Sequence, residues 1–173
     1  MDKKLFFALV IVCAVTHIIR SIYEILKHKK IINPNKLSFV IVFTNMILLW
    51  CSWFVLCSLD AYKITLPLII HYLGLAICCL GVFTFLMGLF TIKTLESYEG
   101  DLITKGIYSK IRHPMYLGFI LWLIGFPILF GALFSFILSF LFIGNVFFWR
   151  DLEEKELEER FPTYKDYRKS TIF

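Results

Sequence analysis

The chain has 173 residues, a hydrophobic fraction of 59% and a formal net charge of +5, with a mean hydropathy of +0.77. Soluble chains average about 45–50% apolar residues, and a domain of this size has no interior able to hide such an excess, so a water-soluble globule is excluded. The basic residues flank apolar tracts instead of sharing one soluble face, which argues against a nucleic-acid partner and for membrane lipids and their headgroups.

Taken in order, the first apolar span runs from Leu5 to about Leu26 and follows Asp2, Lys3 and Lys4. No small-residue cleavage site follows it, so it reads as a retained helix and not a signal peptide. Its C-terminal half is polar on one side, and Arg20 and Glu24, four residues apart, are placed to pair. His17 in the same helix reads as packed against a neighbour. A basic connector, Lys27 to Lys36, turns at Asn33-Pro34-Asn35. The second span is Leu37 to Leu59, with Trp50 and Trp53 placed for an interfacial belt. The third is Ile64 to about Ile92, with Pro67 in its first turn and His71 structural. Along it Gly74, Gly81 and Gly88 recur every seven residues, a small-residue seam for close helix packing.

A polar stretch, Lys93 to His113, precedes a last apolar tract from Pro114 to Trp149 that is interrupted by Gly125, Pro127 and Gly131. Splitting it there predicts a hairpin of two helices of about 15 to 18 residues, each about 23–27 Å long at 1.5 Å per residue. Both ends of such a hairpin emerge on one side. The expected fold is therefore all-α and polytopic: about five transmembrane helices, the last two a short hairpin, and an amphipathic C-terminal helix. Residues 1–173 form one domain, with 1–92 a three-helix scaffold and 93–173 the working portion. The positive-inside bias places the N-terminus outside and the C-terminus in the cytoplasm.

The five cysteines, Cys13, Cys51, Cys57, Cys78 and Cys79, all lie in apolar tracts and read as small buried hydrophobes; neither a disulfide framework nor a metal site is expected. The densest chemistry lies in Leu102 to Gly118, LITKGIYSKIRHPMYLG, where Arg112, His113 and Pro114 stand at the mouth of an apolar helix with Tyr108 and Tyr116 on either side. Proline suits a first helical turn and pushes the preceding residue into an extended conformation. The N–H groups of Met115 and Tyr116 are then free for the negative end of a ligand. A second cluster, Asp151 to Arg168, begins at the membrane boundary. Taken alone it is a solvated amphipathic helix. Beside the membrane, its glutamates suit an ammonium or ribose hydroxyls, and Arg150 suits an acidic headgroup.

The two clusters together, RHPMYLG and then EEKEL with F-P-T-YKDY after an apolar hairpin, resemble the integral membrane methyltransferases, a family that includes isoprenylcysteine carboxyl methyltransferases and phospholipid N-methyltransferases. The resemblance covers roughly residues 93 to 168. It implies S-adenosylmethionine as cofactor, with S-adenosylhomocysteine as product, held on the cytoplasmic side without a Rossmann domain. It further implies that Gly100, Asp101, Leu102, Ile103 and Tyr108 wrap the adenosine, that His113, Pro114, Met115 and Tyr116 close around the methionine portion, and that Glu153 completes the cofactor site. Arg150 and Arg112 are the candidates for holding an acceptor carboxylate, and Glu154 is the candidate base for an amine acceptor. The chain departs from the family pattern at Lys93, where a glutamine is usual, at Phe161-Pro162, and in the register of Arg150.

The expected reaction is carboxyl O-methylation of a lipidic, isoprenylcysteine-like acceptor that enters from the bilayer. The alternatives are an ethanolamine-type phospholipid amine, another small lipophilic acceptor, and, more distantly, an NADPH-dependent reductase of the sterol type. The host membrane would be the plasma membrane in a prokaryote or the endoplasmic reticulum in a eukaryote. The oligomeric state, the acceptor's identity and whether the last two helices fully cross are left open by the residues.

Overall fold

The computed structural model describes residues 3–92 and 100–173, so the start of the predicted polar stretch, including Lys93, lies outside the described residues. The described chain folds into α1 (Lys3–His28), α2 (Lys36–Ser58), α3 (Leu68–Ile92), α4 (Pro114–Phe130), α5 (Leu133–Arg160) and a short α6 (Tyr164–Ser170), with one 3-10 turn at Gly106–Ser109. Helices α1, α2, α3 and α5 are long and apolar enough to cross a membrane, and α4 is a shorter apolar helix. Beyond the helices the described residues hold only two isolated backbone bridges, Lys63 with Ala132 and Ile111 with Ile172. Side chains such as Ile11, Ile18, Phe83, Phe90, Phe140 and Leu141 point outward and stay exposed, the arrangement expected of an integral membrane protein.

Local chemistry fixes the helix ends. Asn35 caps α2 by accepting from the N–H groups of Leu37 and Ser38, while Ser38 accepts from the Asn35 N–H, a reciprocal capping box. Helix α3 starts at Leu68 and not at Ile64, because the residues before it are engaged elsewhere. The Ile64 N–H donates to the Gly131 carbonyl (2.9 Å), and the Leu133 N–H donates to Tyr62 (3.0 Å). Gly131 itself adopts φ 61 at the end of α4, a left-handed cap that glycine takes without strain.

The same contacts show that the hairpin reaches the level of the other spans. Asp60, beside the end of α2, is buried and caps α5, accepting from the Ser135 N–H and hydroxyl, both at 2.7 Å. Phe6 near the start of α1 meets Tyr62 and Phe134 edge-on. The start of α1, the α2–α3 connector and the α4–α5 turn therefore share one face. At 1.5 Å per residue α4 spans about 26 Å, close to the hydrocarbon thickness.

The glycine seam is real and is matched by a second one. A Cβ on Gly74 would run into the Leu129 backbone nitrogen, one on Gly81 would lie 2.9 Å from the Gly118 carbonyl, and one on Gly88 2.9 Å from Pro114. From the α4 side, Gly118 and Gly125 would meet Gly81 and Cys78 at 2.6 Å. Helices α3 and α4 are thus in backbone contact along their length, the geometry that small residues permit in membranes. His71 adds a polar tie from its Nδ1 to the Leu129 carbonyl (2.8 Å).

Helices α1, α2, α4 and α5 enclose the core, built on Phe6, Leu49, Trp53, Leu123, Phe142 and Trp149. His17 is part of it, stacked on Phe142 at a centroid distance of 3.9 Å and beside Asn145, as its sequence position suggested. Trp149 Nε1 donates to Ser21 (2.9 Å), binding α5 to α1.

One expectation needs correction. The second arm of the hairpin is not a helix of 15 to 18 residues followed by a separate amphipathic helix. It continues without a break from Leu133 to Arg160, and the separate C-terminal helix is only Tyr164–Ser170. The residues Asp151 to Arg160 are nearly all good helix formers. The polarity therefore changes at Arg150 while the backbone does not.

Candidate functional site

The start of α4 is built as Pro114 suggests. His113 is the N-cap with φ −124, and Pro114 occupies the first helical position, wedged against Gly88. This aims the His113 ring at α5, where its Nε2 lies 3.3 Å from Glu154 Oε1 and 3.5 Å from the Tyr164 hydroxyl. Arg112 Nε meets the same carboxylate oxygen at 3.2 Å, and Arg168 Nη2 lies 3.4 Å from the other. Arg112 Nη1 also donates to the carbonyls of Arg168 (2.9 Å) and Thr171 (2.7 Å). Glu154 is buried and forms the hub of a knot joining the α4 start, α5 and the tail.

The segment leading into α4 is fastened along its length. Arg160 Nη2 donates to the Gly100 carbonyl (3.1 Å) and the Tyr167 hydroxyl to the Tyr108 carbonyl (2.6 Å). The Ile172 N–H donates to Lys110 and the Arg112 N–H to Ile172. Burial raises the phenols of Tyr108 and Tyr164 well above their ordinary range, and burial, partly opposed by the Arg112 charge, pushes Tyr167 up to about 12. All three are neutral near pH 7 and none is a base there.

Between these parts opens one continuous cleft. At its polar end stand Asp101, Tyr108, His113, Tyr116, Glu153 and, from α1, Arg20 and Glu24. The Tyr116 hydroxyl stands beside the Glu153 carboxylate. At the other end the wall is apolar, with Phe39, Val42, Phe43, Met46 and Trp50 of α2 facing Phe85 of α3. A half-buried carboxylate beside a hydroxyl suits a ligand's ammonium or hydroxyls, and the apolar arm suits a hydrocarbon chain.

The sequence profile of the phospholipid methyltransferase family matches residues 69–164, which takes in nearly all of α3 and the whole of α4 and α5. The chain belongs to this family. Over 70 residues it is also 40% identical to the protein-S-isoprenylcysteine O-methyltransferase of Schizosaccharomyces pombe, a match over 39% of this chain and 30% of that protein's length. No solved structure matches it.

Within this methyltransferase-family framework most of the expected cofactor residues converge. Asp101, Leu102, Ile103, Tyr108, His113, Met115, Tyr116 and Glu153 all line the cleft. Gly100 stands beside it as the anchor for Arg160, and Pro114 packs behind it on α3. The three residues expected to act on the acceptor fare differently. Arg112 reaches the cleft, but its Nε and Nη1 are engaged by Glu154 and the tail. Arg150 is not brought in: it pairs with Asp151 at 2.7 Å and lies over the rings of Phe147 and Phe173. Glu154 is turned into the knot, not toward an acceptor.

Helical geometry explains the split. A helix advances about 100° per residue, so Trp149, Glu153, Glu156 and Arg160 share the cleft-facing side of α5 while Arg150 and Glu154 fall on the adjoining flank. The sequence reading assigned the site no residue of α1. Yet Arg20 and Glu24, paired and buried, face the cleft together with Lys27. Their signal was present in the charges themselves, since ionisable residues inside an apolar helix usually face a partner or a cavity.

Proposed function

We propose that this family member is an integral membrane methyltransferase that uses S-adenosylmethionine to methylate the carboxylate of a lipidic, isoprenylcysteine-like acceptor. The observation that carries this reading is the two-ended cleft, in which a carboxylate-lined polar end runs directly into an apolar arm between α2 and α3. A soluble acceptor would need no such arm.

The residues present suit the cofactor. Asp101 and Glu153 offer carboxylates for ribose hydroxyls and an ammonium group, Leu102, Ile103 and the neutral Tyr108 offer an apolar and aromatic wall for a base, and Met115 and Tyr116 lie at the first turn of α4. When bound, S-adenosylmethionine supplies a methyl group on a positively charged sulfur that is already electrophilic. The protein's own work is therefore to bind, align and exclude water. The knot around Glu154 holds α4 and α5 at a fixed separation, and the strapped segment from Gly100 to Arg112 covers the polar end.

A carboxylate acceptor arrives ionised and needs no base, whereas an ammonium must first lose a proton. The glutamate expected to take that proton, Glu154, is occupied by Arg112, His113 and Arg168, which favours the carboxylate. The printed name of the yeast relative points the same way. The second reading is an ethanolamine-type phospholipid, favoured by the Glu24 and Glu153 carboxylates in the cleft. The lysine-rich α1–α2 connector lies at the cleft's end of the bundle; with the positive-inside rule this supports a cytoplasmic site and an external N-terminus. Purified protein is tested for transfer of a labelled methyl group onto a prenylcysteine analogue and onto ethanolamine lipids. Labelling of the prenylcysteine analogue is expected. Labelling of the lipid amine alone replaces it with the second reading, and labelling of neither contradicts both.

A further inference from the structure

We propose that Arg20 of α1 binds the acidic headgroup of the acceptor, an inference that rests on the lipidic-carboxylate reading above. Its side chain is 9% exposed and lines the cleft. Only part of its donor set is used within the protein: Nη2 pairs with Glu24, while the N–H groups on Nε and Nη1 are buried with no hydrogen-bond acceptor. Over the guanidinium lie the rings of Tyr23 and Trp149, at 5.7 and 5.9 Å from their centroids. Ring faces attract the charge but do not replace the directed bonds that these N–H groups lost with water. A buried donor left unmet is costly, and a native structure that retains one calls for a reason.

An arriving oxyanion supplies that reason. Glu24 balances the charge of Arg20 but satisfies only one of its nitrogens, so the guanidinium is held in place with donors to spare. The two arginines expected to act on the acceptor have two nitrogens each engaged within the protein, Arg112 Nε and Nη1 on Glu154 and the tail and Arg150 Nε and Nη2 on Asp151. Position agrees as well. Arg20 lines the cleft close to Tyr116, and the same cleft is lined by the apolar Met46 and Trp50 of α2. A carboxylate held by Arg20 leaves its hydrocarbon chain to run along α2 and presents its free oxygen toward the polar end.

The test compares two probes that differ only in charge, S-farnesylthiopropionic acid and its carboxamide, by calorimetry on the full chain in lipid nanodiscs. Replacing Arg20 alone leaves Glu24 buried and unpaired, so the informative variant is the double substitution Arg20→Gln with Glu24→Gln, which removes the pair as a unit. The wild type is expected to bind the acid at least about tenfold more tightly than the amide, as a charge-assisted bond implies, and the double variant to lose that preference. Its thermal unfolding should stay cooperative, showing an intact fold. A double variant that keeps the acid preference overturns the assignment. So does a wild type that shows none, including one that binds neither probe. Failure of the wild type to bind S-adenosylhomocysteine is a separate result and counts against the methyltransferase reading itself.

Discussion

His113 Nε2 and Glu154 Oε1 lie 3.3 Å apart, joining the first residue before α4 to the charged extension of α5. That contact makes one site from two stretches of sequence. It also sorts neighbouring glutamates into different roles, Glu154 inside the knot and Glu153 facing the cleft.

Glu154→Ala should damage the fold before it damages binding. It leaves Arg112 and His113 buried beside no carboxylate, and breaking a buried ion pair typically costs about 3 kcal/mol or more. Thermal unfolding in detergent should show a clearly lowered Tm.

Glu153→Gln should do the reverse. The substitution keeps the shape and hydrogen-bonding reach toward Tyr116 but removes the charge offered to the cofactor. Loss of a charge-assisted bond of about 1.5–3 kcal/mol corresponds to roughly a tenfold to hundredfold weaker Kd for S-adenosylhomocysteine, with Tm nearly unchanged.

The paired glycine seams make a sharp contrast testable in one helix type. Gly118→Ala places a methyl 2.6 Å from the Gly81 carbonyl and 2.8 Å from Phe85, and overpacking of this kind costs about 1–3 kcal/mol. Gly144 on α5 has nothing within 4 Å of such a methyl, so Gly144→Ala should be neutral or stabilising by up to about 1 kcal/mol. Comparative Tm measurements decide the point.

Asp60→Ala removes the cap of α5 at the hairpin turn, where Ser135 donates twice to one carboxylate oxygen. A loss of about 1–2 kcal/mol in stability is expected, with S-adenosylhomocysteine affinity preserved because the turn is on the opposite face from the cleft.

Arg150→Ala should leave the Kd of an acidic lipid probe within about twofold, against the role its position in the sequence suggested. Its guanidinium rests on Phe147, Phe173 and Asp151, away from the cleft.

Much of this was legible beforehand, for definable reasons. Spans announce themselves through the length of their apolar tracts, and a glycine every seven residues on α3 can only mean a close neighbour. Pro114 fixed where α4 begins. What the sequence hid was orientation. Arg150 and Glu153 differ by less than one helical turn, yet only Glu153 faces the cleft, and which side of α5 turns inward is decided by Trp149 docking on Ser21, a long-range contact. The unbroken run of α5 was obscured because charge density marks where the membrane ends and says nothing of where a helix ends. Arg20 and Glu24 looked like a self-contained pair until α2 and α5 closed around them.

The central claim is that one cleft holds the cofactor between the α4 start and α5. Calorimetry of S-adenosylhomocysteine against the purified full chain, wild type beside Glu153→Gln, tests it most directly. One-site binding that the variant weakens at least about tenfold is the predicted outcome. Absence of binding to a folded wild type, or binding that Glu153→Gln leaves untouched, would contradict it.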